Sequence, residues 1–415
     1  MAYVPGAVLD DIGSLANPTY RHRFFVDGQM AVGDYYDGGW KTALVGGLGA
    51  GGKGIYALNI KNPSNPKVLW EITSDDDPDI GYTFGKPLIH RVGGKWVAIF
   101  GNGYGSADGQ AYMYVVDLRN GDVLNKIDLG NAGDNGLSGV AGFSDPATGT
   151  ELIRAYAGDL NGTIWRVDFS DSGTASTPFT DGLFTNPDGK AITATPALAA
   201  SPSGGLIVYV GTGKLFETGD RTVPAGPAET FWAVIDNNSA ISGISGFKEV
   251  SVTGDPRVIE GEAGENGWFL KLGASDSGER VLNQARVIFG QLIFSSFEPD
   301  DDACATGGEQ RVYVLDALSG TGRLDNECNN CGVIELGTGA PVEPPVVLKP
   351  PENPTLTPGD PGGIDPDDPG SPDLPDGSTV GAVTGWCSAF GVLAPSGFKS
   401  LGNICDGRQV WRQVR

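Results

Sequence analysis

Two histidines in 415 residues, His22 and His90, leave this chain almost without the side chain on which most acid–base and nucleophilic catalysis relies. Neither stands in a GxSxG or comparable nucleophile signature, so histidine-based hydrolysis has no support. Basic residues are scarce too: 28 Lys and Arg against 51 Asp and Glu give a formal net charge of −23. That charge repels phosphate backbones and anionic membranes, so no nucleic acid is expected, and cations or basic protein surfaces are the favoured partners. No apolar run reaches bilayer length, which predicts no transmembrane segment. The opening MAYVPGAVLDDIG lacks the basic and hydrophobic regions of a signal peptide, a literal cytoplasmic signal. Five cysteines on a loop-rich acidic chain point the other way, to an oxidising compartment, and export is the expectation.

What the chain has in quantity is glycine, 65 residues, and proline, 28, with 40% hydrophobic residues. This composition suits many short strands joined by tight turns, and the expected class is all-β. Apolar runs ending in glycine recur, each followed by a second alternating run. They are TALVGGLGAGGKGIYALNI (42–60), WVAIFGNGYGSADGQAYMYVVDL (96–118), LIRAYAGDLNGTIWRVDF (152–169), LIVYVGTGKLFETGD (206–220) with TFWAVID (230–236), and RVIFGQLIFSS (286–296) with QRVYVLDALSG (310–320). Each reads as a β-hairpin, and alternation such as Tyr114, Val116, Leu118 puts one strand face in a core. NPKVLWEI and NGDVLNKIDL add a further strand to their units. Units spaced by roughly 50 to 80 residues, against about 40 to 50 in regular propeller repeats, read as a β-propeller with insertions. In YAGDLNGTIWRVDF (156–169), Asp159 is expected to cap the turn. Tyr156, Ile164 or Trp165, and Val167 or Phe169 then pack between blades.

The propeller is expected over 1–340. Residues 341–379, rich in Pro, Asp and Gly, read as a linker or long loop, and 380–415 as a short C-terminal segment that packs back on the propeller. A disulfide between Cys387 and Cys405 would staple a hairpin in that segment, which also holds Trp386 and Trp411. Two of Cys304, Cys328 and Cys331 can pair; the Cys328–Cys331 CxxC lacks the second half of a zinc set.

GGLGAGGKG (46–54) contains a GxGxxG, yet a strand rather than a helix follows, so it reads as a hairpin turn and not a phosphate cradle. Two acidic clusters suggest calcium. In DDDPDIGYTFGK, Asp75, Asp77 and Asp79 take the first, third and fifth places of an EF-hand-like loop, but Ile80 and Lys86 stand where Gly and Glu belong. EPDDDAC offers Glu298, Asp300, Asp301 and Asp302 without alternate spacing. Both read first as solvated loops.

The stretches YRHRFFVDG, TALVGGLGAGGKGIYALNI, NPKVLWEI, IGYTFGKP, WVAIFGNGY, YAGDLNGTIWRVDF, YVGTGKLFE, GERVL and WRQ occur in this order. Together they resemble the C-terminal domain of the PilC/PilY family, the type IV pilus tip adhesin and assembly proteins, over most of residues 15 to 320. The resemblance implies a modified β-propeller of about seven blades, here without its opening blade. It implies a place outside the cell at the pilus tip, reached through the periplasm. It also implies a non-enzymatic role in pilus assembly, opposition to retraction, and attachment, with minor pilins and a host-cell or surface receptor as partners. Full-length members carry a signal peptide and a von Willebrand A-like region upstream, so this chain resembles a fragment. The family's calcium loop falls on Asp145, Ala147, Gly149 and Ile153; only Asp145 brings a carboxylate there, with Glu151 nearby.

Two other classes compete. A quinone-dependent dehydrogenase is suggested by YVVDLRNGDVL and YVLDALSG, but the tryptophan that ends such motifs is replaced by Asn125 or an arginine-containing turn, so no quinone is expected. A lectin-like propeller would use exposed Trp and Tyr to stack on sugars.

Overall fold

The computed structural model describes residues 3–130, 133–144, 149–222, 226–254, 257–274, 277–300, 307–324, 330–339, 341, 343, 346–349, 387–394 and 397–405. Asp145, Asp301, Asp302, Cys304, Cys328, Trp386, Trp411 and most of the 341–379 stretch lie outside them. The chain divides into two compact units, Met1–Glu343 and Pro344–Arg415.

In the first unit, five sheets of four or five strands follow one another among the described residues, each opening with an antiparallel meander, and two two-stranded pairings accompany them. The first blade is Met30–Tyr36, Trp40–Gly47, Gly54–Asn59 and Lys67–Thr73. The second is Leu88–Val92, Lys95–Gly101, Tyr112–Asp117 and Val123–Asp128. The third has Ala141–Phe143, Arg154–Gly158 and Thr163–Phe169, whose outer edge takes the short strands Ala175–Ser176 and Phe184–Thr185. The fourth has Ala197–Ala200, Leu206–Gly211, Thr230–Asp236 and Gly267–Lys271, with Phe247–Glu249 added in parallel. The fifth is Arg286–Ile288, Gln291–Pro299, Gly308–Asp316 and Val333–Gly339. First strands of neighbouring blades lie side by side, as Met30–Tyr36 does with Leu88–Val92 and Ala197–Ala200 with Arg286–Ile288. They are the inner strands of a β-propeller, and the recurrent hairpins of the sequence are its second and third strands.

Each gap between neighbouring blades holds its own apolar cluster. Val45 and Ile55 meet Phe100 and Tyr114 between the first two blades. Val97 and Met113 meet Trp165 and Val167 between the second and third. Tyr156 and Ile164 meet Val208 and Trp232 between the third and fourth, and Tyr209 and Phe231 meet Phe294 and Tyr313 between the fourth and fifth. The alternation of Tyr112–Asp117 therefore records two cores, not a core and a solvent face: all six of its residues are buried, as in strands covered on both sides.

YAGDLNGTIWRVDF fills this scheme. Tyr156 and Ile164 face the fourth blade, and Trp165, Val167 and Phe169 face the second. The turn is locked by Asp159, whose Oδ1 accepts the backbone N–H groups of Asn161 and Thr163 and whose Oδ2 accepts Trp165 Nε1 and Asn135 Nδ2. Only Gly162 in this turn takes a positive φ, +81°, and a Cβ there would meet Asn186 Nδ2 at 2.0 Å.

Two buried polar networks tie elements together. Arg166 reaches from the third blade to Asp236 on the fourth, where Tyr156 Oη also donates to the Asp236 carboxylate at 2.5 Å. In the fifth blade Glu279 accepts Ser296 Oγ at 2.6 Å and Tyr313 Oη at 2.7 Å, with Arg257 and Arg311 beside it.

In the second unit, Val346–Lys349, Cys387–Ala394 and Gly397–Cys405 form a three-stranded antiparallel sheet. The stretch read as a linker thus contains one strand, built on an apolar Val-Val-Leu run. The hairpin register sets Cys387 directly opposite Cys405, a backbone spacing within disulfide reach. In the first unit Cys331 is disulfide-bonded and therefore supplies no thiolate to a metal.

Candidate functional site

The meander topology gives the propeller two loop faces. One carries the turns between first and second strands. The other carries the turns between second and third strands and the segments that enter each blade. Asp75, Asp77, Asp79 and Glu298 share this second face with the aromatic loops, whereas Glu151 lies on the first.

Asp77 and Asp79 converge, but on a cation of the chain itself. Lys126 Nζ lies 2.9 Å from Asp77 Oδ2 and 2.5 Å from Asp79 Oδ2, over the Tyr112 and Tyr114 rings. Burial pulls the Asp77 carboxyl upward, yet Lys126, the Asp79 N–H and Tyr114 outweigh it and hold it below the usual range. Asp75 stays exposed on the turn, while Ile80, where an EF-hand loop has Gly, is fully buried in the core between the first two blades. Glu298 pairs with Arg311 at 2.5 Å.

Glu151 is also spoken for: Arg91 Nη2 lies 3.0 Å from Oε1, and the Gly94 N–H donates to Oε2 at 3.2 Å. Asp145 lies outside the described residues. With Gly149 and Ile153 offering no side-chain oxygen, the described part of this loop does not fit a calcium donor set. Among the described residues no group of three or more His, Cys, Asp or Glu is placed to hold a metal.

The fold brings together one pair that the linear sequence hid. His90 Nε2 lies 3.1 Å from Ser144 Oγ. Nδ1 meets both backbone groups of Arg91, the N–H at 2.9 Å and the carbonyl oxygen at 3.3 Å. The pair clasps the first strand of the second blade to the segment that follows the first strand of the third. Burial depresses the His90 pKa, against smaller opposing effects of its backbone hydrogen bond and Glu151. A depressed imidazole binds fewer protons folded than unfolded, so its contribution to stability is complete above the unfolded pKa of about 6.5 and is lost as pH falls below it. Wild-type melting temperature is expected to fall below that pH more steeply than that of His90→Gln. Parallel pH profiles would count against this account of His90.

The glycine loop is a packing device. Gly49 adopts φ +54°, and a Cβ on Gly51 would lie 1.9 Å from the Phe25 carbonyl oxygen of the segment entering the first blade. The chain then continues as the strand Gly54–Asn59, which leaves no helix N-terminus for a phosphate.

On the same face, four aromatic rings gather from separate loops. Tyr82 and Phe84 come from the segment entering the second blade, Tyr104 from that blade's second turn, and Phe216 from the corresponding loop of the fourth blade. Phe216 stacks on Phe84 at 4.4 Å and on Tyr104 at 4.7 Å, with Tyr82 against Tyr104 at 5.4 Å. The third blade lies between and contributes Leu160 to the pocket they line. Burial, then Glu217, Tyr82 and Asp220, push the Tyr104 hydroxyl up to about 12.

The Phe216 loop is held from below. Asp220 Oδ2 accepts the N–H groups of Phe216 at 2.7 Å and Glu217 at 2.9 Å. Buried Arg280 donates through Nη1 to the carbonyls of Lys214 and Asp220 at 2.8 and 2.7 Å. None of these aromatics stood out by spacing, because they come from three loops far apart in the chain. Their only signal was position: IGYTFGKP, WVAIFGNGY and YVGTGKLFE each bring at least one of them.

Residues 4–254 match the PilY1 beta-propeller domain. The chain belongs to the PilY1 β-propeller family. It is 32% identical, over all of its length, to the type IV pilus biogenesis factor PilY1 homolog of Xylella fastidiosa, of which it covers 31%. With PilY1 of Pseudomonas aeruginosa strain PAO1 it shares 31% identity over 77% of the chain and 33% of that protein. It therefore spans about a third of the length of these PilY1 relatives. The crystal structure of the P. aeruginosa PilY1 C-terminal domain is similar, with a TM-score of 0.70 at 26% identity over 85% of each chain. No helix among the described residues is long and apolar enough to cross a membrane.

Proposed function

We propose that this chain is the propeller part of a type IV pilus biogenesis factor. It works outside the cell at the pilus tip as a non-enzymatic binding domain. It contacts minor pilins during assembly, opposes retraction, and meets a host-cell or surface receptor. The observation that carries this reading is the 32% identity, over the whole of this chain and 31% of the relative, with a type IV pilus biogenesis factor PilY1 homolog. The polar geometry agrees with it. The acids that composition offered for chemistry, Asp77, Asp79, Glu151 and Asp159, are each spent on a lysine, an arginine or a turn. Calcium has no part in the proposal, since Asp77, Asp79, Glu151 and Glu298 are already paired.

The purified domain is expected to bind at least one purified minor pilin of the same organism in a pull-down, equally in calcium and in chelator. Failure with every minor pilin would overturn the reading, and binding only in calcium would restore a metal site to it.

A further inference from the structure

The aromatic pocket has features that the chain's own packing leaves unused. Its rings are only half-buried, although four rings in contact would ordinarily be covered in a core. Ser138 is among the lining residues, its Oγ sealed from solvent. Beside the pocket, Lys53 Nζ lies 5.5 Å from the centre of the Tyr82 ring and donates to the Gly105 carbonyl. No carboxylate among the described residues pairs with it, in a chain where acids outnumber bases by 51 to 28.

We propose that this pocket is the docking point for a partner protein, and that it takes an apolar side chain flanked by a carboxylate. The apolar group enters against Phe84, Tyr104 and Phe216, while the carboxylate meets Lys53. A sugar fits less well, because Phe216 is stacked on both Phe84 and Tyr104 and those ring faces are already spent on each other. The rim charges balance, Lys53 and Lys214 against Glu217 and Asp220, with Lys214 lying 3.8 Å from Glu217 and 3.7 Å from Asp220, and Lys53 is the cation among them without a carboxylate partner. The net charge of −23 draws in a partner that is basic overall, and Lys53 then selects the acidic group at the contact.

This inference rests on the pilin-binding reading, and one experiment separates the two. The probes are the purified soluble domains of the minor pilins, with binding read by biolayer interferometry and folding by circular dichroism and melting. Phe216→Ala and Lys53→Glu are each expected to weaken binding at least tenfold, by analogy with buried anchors and charge pairs at interfaces. Lys53→Arg should restore most of it. Trp40→Ala, at the opposite loop face, should bind like wild type. Lys53→Glu breaks no ion pair and loses only the hydrogen bond to the Gly105 carbonyl and the contact with Tyr82, so it should remain folded, which keeps the test valid even if Phe216→Ala unfolds. If the wild type binds a pilin and both pocket variants bind it equally well, the pocket assignment is wrong and the pilin reading stands. If the wild type binds none, both are wrong. A glycan-array signal abolished by Phe216→Ala, with pilin binding intact, would replace the protein partner with a sugar.

Discussion

Asp159→Ala is expected to lower the unfolding free energy by about 3 kcal/mol, because four donors lose their acceptor in a site closed to water. The residue is 0% exposed, and its carboxylate receives two backbone N–H groups, an indole N–H and an amide N–H. Burial raises its carboxyl against the pull of all four, so the site holds a charge only because every lone pair is used. Asp159→Asn keeps one acceptor oxygen and should lose about half as much. Urea unfolding of the purified domain, followed by tryptophan fluorescence, reads both. A loss under about 1 kcal/mol for the alanine variant would mean that water replaces the carboxylate and that the turn is held by its backbone alone.

Asp236→Ala should cost about 3 to 5 kcal/mol, the range for breaking a buried ion pair from one side. Arg166 is 4% exposed and Asp236 0%, and Nη1 of the arginine lies 3.0 and 2.9 Å from the two carboxylate oxygens. Arg166 keeps its bidentate contact with Asp168, which is partly exposed, so the main loss is the link to the fourth blade. Tyr156 Oη loses its acceptor in the same change. A double-mutant cycle with Tyr156→Phe should give strong coupling, because both changes remove the same hydrogen bond. Additive losses would place the two residues in separate networks and overturn this account. Hydrogen exchange should show weakened protection on the facing strands of the third and fourth blades before the fifth is affected.

Much of the fold was legible because its signal is local. Second and third strands announce themselves as paired apolar runs closed by glycine turns, and YAGDLNGTIWRVDF displays a whole hairpin. Asp159 was readable as a turn residue for the same reason, since its two backbone partners lie two and four residues on. Short-range geometry also explains why GGLGAGGKG could be rejected as a phosphate loop: the following strand is visible in the same window.

The acidic candidates were ambiguous because the cation that answers them is distant. Lys126 lies 49 residues from Asp77, and Arg91 lies 60 from Glu151; no spacing rule links them. A carboxylate that waits for a metal and one already neutralised by lysine look the same in one dimension. The His90–Ser144 contact likewise spans 54 residues.

By itself, the sequence determined the all-β class, the hairpins, the family and the acidic field, since each follows from composition, period-two patterning or ordered motifs. Tertiary structure alone decided which charges are spent and which remain, and that Phe216 crosses the third blade to reach Phe84 and Tyr104. The physical reason is that a propeller brings loops from blades more than a hundred residues apart onto one face. A site built there has no sequence period, and it exists only once the blades have packed.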